Sequence, residues 1–123
     1  MDPNGSRPLE DLVHWNGELS DLIGNARRGE PTSIVTFRRG HALAAAEKAT
    51  AGLASPSQLI DWAQAVHFED HVDVEEEHQD LLTQFLVEIS TPELFEPVTH
   101  EVCQRWLRAL QISMASDAEA AER

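Results

Sequence analysis

Apolar residues at Leu9, Leu12, Val13, Leu19, Leu22, Ile23 and Ala26 fall at helical spacing and predict a first helix. Arg27, Arg28 and the G-E-P at 29–31 would end it. Gly17 and Gly24 work against this helix, each costing about 1 kcal/mol relative to Ala in a helix interior. Trp15 lies off the apolar stripe, so it is expected to be exposed. A second helix is expected to open at Thr32–Ser33 and run through the Ala-rich stretch to Gly52, with Phe37, Leu43, Ala46 and Leu53 on one side. Ile34, Val35 and Phe37 are strand-prone, but helix is preferred because A-L-A-A-A-E-K-A comes after them without a turn.

The third helix has the clearest start. Ser55-Pro56-Ser57-Gln58 places Ser at the N-cap, Pro at the first helical position and Gln three residues on, a capping box. Leu59, Trp62, Ala63 and Val66 then form a compact apolar face. Extending that face at 3.6 residues per turn would bury Asp70, Asp73 and Glu77. The next apolar residues, Val74, Leu81, Leu82, Phe85, Leu86 and Ile89, are about one residue out of phase. Burying three unpaired carboxylates costs several kcal/mol, so the chain must break or turn between residues 68 and 73. Asp73 with Glu76 repeats the capping-box spacing and is expected to start a fourth helix, which Pro92 interrupts. Pro97 and Thr99 open a last helix bearing Val98, Val102, Trp106, Ala109 and Leu110, and residues 115–123 are expected to fray.

The pattern predicts an all-α, single-domain antiparallel bundle of four to five helices over residues 7–114, with a flexible 1–6 leader and a frayed 115–123 tail. A chain of 123 residues can bury a sufficient core without metal or disulfide. The single cysteine, Cys103, forms no intrachain bridge. It is expected to be a small core residue, and a cytoplasmic location is expected. No apolar leader or membrane-length apolar run is read.

Charge sharpens the picture. The net charge is −13, and residues 49–104 carry twelve acids with no Lys or Arg. Residues 61–80 hold eight of those acids and three histidines. Such a field disfavours nucleic acid and anionic membrane and favours basic partners or cations. Asp73, Glu75, Glu76 and Glu77 would gain from a helix dipole about what they lose to mutual repulsion, so local stability tolerates the cluster without demanding it.

Two kinds of site are candidates. In the leading one, Phe68 at the break is an aromatic anchor ringed by Glu69, Asp70, Asp73, Glu75, Glu76 and Glu77, which steer a basic protein partner. In the alternative, His67, Asp70, His71 and His78 bind a divalent transition metal, although the break falls inside H-x-x-x-H. Without that metal no cofactor is expected. No G-x-S-x-G, phosphate loop or H-E-x-x-H is present, and His100 near Cys103 lacks a third orienting group, so catalysis is not expected. A homodimer through an apolar helix face is a third option.

The stretches S-P-S-Q-L-I-D-W-A-Q-A-V (55–66), D-H-V-D-V-E-E (70–76) and F-L-V-E-I-S-T-P-E-L (85–94) resemble those of small, acidic, all-helical bacterial proteins of the colicin and polymorphic-toxin immunity kind. The likeness covers roughly residues 40–112 and rests on packing and capping motifs. It implies a helical bundle whose acidic surface neutralises a basic toxin domain, often a nuclease. The N-terminal region is longer than that resemblance implies.

Overall fold

In a computed structural model, which describes residues 7–29 and 33–121, the predicted capping box at Ser55 is formed in full. The Gln58 N–H donates to Ser55 Oγ at 3.1 Å, and the Ser55 N–H donates to Gln58 Oε1 at 2.9 Å. Two otherwise unpaired donors are thereby satisfied at the start of α4 (Pro56–His67). Its face of Leu59, Trp62, Ala63 and Val66 is buried as the spacing required. The helix stops at His67, where the phase argument placed a break.

The described residues are mostly all-α, with about 72% helix, six α-helices and two short parallel strands. The expected first helix is two: α1 (Arg7–His14) and α2 (Leu19–Arg28). They are separated by a turn in which Trp15 takes φ 55° and Gly17 takes φ 131°. The left-handed conformation is unfavourable for a bulky residue such as Trp. Here Trp15 is held by its ring, which stacks on Trp62 at 5.4 Å and lies under Lys48 Nζ at 5.8 Å. Trp15 is therefore only 7% exposed, which corrects the expectation of a surface tryptophan.

Residues 35–37 correct a second expectation. Val35–Phe37 is a strand, β1, and the helix preferred there begins only at Arg39, as α3 (Arg39–Thr50). β1 pairs in parallel with β2 (Val72–Val74), in the register Val35↔Val72, Thr36↔Asp73 and Phe37↔Val74. A parallel pair needs a long crossover, which α3 and α4 supply. β-branched and aromatic side chains suit such a pair, and burying Val35 and Phe37 outweighs the helical preference of the Ala-rich segment after them. Asp73 is thus in a strand and does not cap a helix. A single 3₁₀ turn at Glu76–His78 leads instead into α5 (Gln79–Ser90).

After a 3₁₀ turn at Pro92–Leu94, α6 runs over His100–Ala121, with the Val102 N–H donating to Thr99 Oγ1 at 3.2 Å. The helix runs to Ala121, into the 115–123 segment expected to fray, in keeping with its high alanine content, and residues 122–123 lie outside the described residues. The 1–6 leader lies outside the described residues. α1 packs on α2, α3 on α6, and α4 on α5. Their common core is aromatic. Phe37 lies 5.8 Å from Trp62 and 6.4 Å from Phe85, and Phe85 lies 5.3 Å from Trp106. The Trp62 indole N–H, wholly buried, donates to the Leu12 carbonyl at 2.8 Å and ties α4 to α1.

Candidate functional site at the acidic corner

The end of α4 positions Phe68. Its N–H donates to the Gln64 carbonyl at 3.1 Å, the Glu69 N–H donates to the Val66 carbonyl at 3.4 Å, and the chain then leaves the helix. The Phe68 ring meets the His67 ring edge-on at 4.8 Å and remains 66% exposed. It is one of seven large apolar side chains exposed among the described residues, and what sets it apart is its place in the sequence, directly before the acids Glu69 and Asp70.

The acids predicted around Phe68 divide into three groups. Asp70, Asp73, Glu76 and Glu77 are exposed. Glu69 is partly withdrawn, with its Oε1 lying 3.6 Å from His71 Nδ1 and 3.5 Å from the His71 N–H. Glu75 turns inward. Its carboxylate lies 3.5 Å from Arg38 and 3.8 Å from Arg39, and its side chain is only 19% exposed. Arg39 also donates to the Ser113 carbonyl and Oγ, both at 2.9 Å, linking this charge cluster to α6. Glu75 therefore belongs to the fold's internal pairing and not to the outward acidic surface, a correction to its expected steering role.

Among the described residues, no group of three or more His, Cys, Asp and Glu side chains is placed to hold a metal ion. His67, Asp70, His71 and His78 do not assemble as a ligand set. His67 ends α4, whereas His71 lies beyond the turn and pairs with Glu69, so the helical i,i+4 geometry never forms. Cys103 is buried in α6, and burial pushes its thiol pKa up, which opposes thiolate formation.

Sequence reasoning missed two features beside the corner. One is a cleft of about 670 Å³ between α2 and α4, with Phe68 and Glu69 in its lining. The other is a histidine pair, His14 and His41, whose rings meet edge-on at 4.4 Å. His41 also stacks on Phe37 at 6.1 Å, and its Nδ1 accepts the Arg38 N–H at 2.9 Å at the start of α3. Burial, then the neighbouring His14 and Arg38, lower its pKa to about 4 against an opposing pull from Glu75. The spacing of Arg38 and His41 matches that of Ser55 and Gln58 and was the available signal, obscured because Arg is not a usual cap.

Comparison of the chain with protein-family models, curated proteins and solved structures finds no match. Among the described residues, no helix is long and apolar enough to cross a membrane.

Proposed function

We propose that this protein is a non-catalytic binding module that takes up a basic protein partner at the acidic corner. The observation that carries the reading is Phe68, 66% exposed at the end of α4, in a stretch whose acids Asp70, Asp73, Glu76 and Glu77 are exposed as well. An aromatic side chain inside a charged rim has the composition of a binding hot spot. The carboxylates raise the encounter rate with a cationic surface, and the phenyl ring contributes once water is excluded. The likeness to immunity proteins gives this reading its specific form, a cytoplasmic neutraliser of a basic toxin domain.

The test is association kinetics with a basic partner captured on the immobilised protein. The association rate is expected to fall by about tenfold or more between roughly 50 and 500 mM salt, because exposed charges are screened over a Debye length. The combined substitutions Asp73→Lys, Glu76→Lys and Glu77→Lys should abolish capture with the helical circular dichroism unchanged. A partner whose binding ignores both salt and these substitutions would refute the reading. Sedimentation of the free protein checks the homodimer option.

A further inference from the structure

Gly24 lies in the middle of α2, where glycine weakens a helix. Its backbone is not in the left-handed region, the described glycines at positive φ being Gly17 and Gly52. A Cβ at Gly24 would meet only the guanidinium end of Arg28, at 3.3 Å, and that flexible end can move. Neither backbone conformation nor internal packing therefore requires glycine here. Gly24 does face the cleft between α2 and α4.

The cleft has the form of a helix seat. One wall is Ile23, Gly24 and Arg27 of α2, and the other is Asp61, Ala65 and Phe68 at the end of α4. Asp61, Ala65 and Phe68 lie at i, i+4 and i+7, a stripe of two turns or about 10 Å, and Arg27 lies three and four residues on from Gly24 and Ile23. Small residues on both walls let a third backbone approach closely, and a groove between two helices is what the ridge of another helix fills. Asp61 and Glu69 outnumber Arg27 in the lining, so the cleft suits a cationic occupant. A second copy is disfavoured because each copy carries a net −13.

We infer that the cleft seats an amphipathic, Lys- or Arg-bearing helix of the partner, its small apolar residues against Gly24 and Ala65 and a cationic head group at Asp61 and Glu69. This rests on the acidic-corner reading, with which the cleft shares Phe68 and Glu69. The binding mode is helix-in-groove.

The probe is a blocked amphipathic peptide of about 18 residues built from Leu, Ala, Lys and Arg, set against a scrambled peptide of the same composition. Both are titrated by fluorescence anisotropy and by amide chemical shifts of the full chain. The amphipathic peptide should bind more tightly, shift the amides of Ile23, Gly24 and Ala65, and lose about tenfold or more in affinity on Gly24→Leu. The shift map is read on the unsubstituted protein, so it decides the matter even if Gly24→Leu does not fold. Equal binding of both peptides, unaffected by Gly24→Leu but lost on Glu76→Lys with Glu77→Lys, would overturn the cleft and leave the acidic-corner reading standing. Failure of both peptides to bind at about 50 mM salt would overturn both.

Discussion

Acidification should destabilise this protein through His41 in a window set by its pKa. The ordinary imidazole value is 6.5, and in the fold it is lowered to about 4. Above pH 6.5 the ring is neutral in the folded and unfolded states, so it contributes no pH dependence. Between pH 6.5 and about 4 the unfolded chain takes up a proton that the folded chain refuses, and stability falls as pH falls. Below about pH 4 both states are protonated and the loss is complete. The structural cause is specific. Nδ1 is occupied as an acceptor of the Arg38 N–H at 2.9 Å, and a protonated ring would lose that bond and place a cation beside His14 and Arg38.

A tenfold difference in proton affinity between the two states corresponds to about 1.4 kcal/mol, which sets a ceiling of about 3 kcal/mol for the full window. Solvent screening at a partly exposed ring reduces the expected loss at pH 5 to about 1–2 kcal/mol. The control is His41→Gln, because Gln at the equivalent position of α4 accepts the same kind of N–H from Ser55 and does not titrate. Urea unfolding followed by tryptophan fluorescence, at pH 7.5 and 5.0, compares the two proteins. His41→Gln should be the less stable at pH 7.5, having lost the contact with Phe37, but should lose about 1–2 kcal/mol less on acidification. Every other titratable group is common to the two proteins, so the difference between them reads position 41. Parallel losses would refute the assignment of the pH dependence to His41.

Trp62→Phe removes the indole donor to the Leu12 carbonyl and opens a gap in a fully buried position, with an expected cost of about 2–4 kcal/mol by urea titration of ellipticity. Ser55→Ala removes the Oγ that accepts the Gln58 N–H, leaving the Ser55 N–H bond to Gln58 Oε1 available, and should cost about 1 kcal/mol in the same assay. Phe68→Ala should leave stability within about 0.5 kcal/mol while weakening a basic partner by about tenfold or more in a binding titration. Glu75→Gln should do the reverse, costing about 1–3 kcal/mol of stability with little effect on the association rate.

The helices were legible where local signals agreed. The Ser55–Gln58 box, the Leu59–Val66 face and the phase slip after Val66 located α4 and its end, and with them the exposed position of Phe68. What local patterns could not show was long-range pairing. Val35-Thr36-Phe37 and Val72-Asp73-Val74 are each only three residues long, and neither announces a strand until the other lies beside it. Trp15 was misplaced for a related reason. Its burial depends on a positive-φ turn and on Trp62, far along the chain, and not on the stripe of its own helix.

The same strand pairing explains how the acidic corner acquires its outward charge. The parallel register sets Phe37 opposite Val74, so the residues immediately beyond each strand end, Arg38 and Glu75, are neighbours. The Glu75 N–H completes the ladder by donating to the Phe37 carbonyl at 2.9 Å, and the carboxylate then meets both arginines. One acid of the stretch is thereby paired internally with a basic dipeptide from the N-terminal half. Asp73, alternating with Val72 and Val74, is carried on the exposed side of β2, and Glu76 and Glu77 come next on a 3₁₀ turn whose starting residue, Glu75, makes no side-chain cap. The acids left facing solvent are thus held by a short hydrogen-bonded ladder instead of a flexible loop. A pre-ordered charged rim loses less entropy on binding than a mobile one, which favours partner recognition at this corner over a purely solubilising role for its charge.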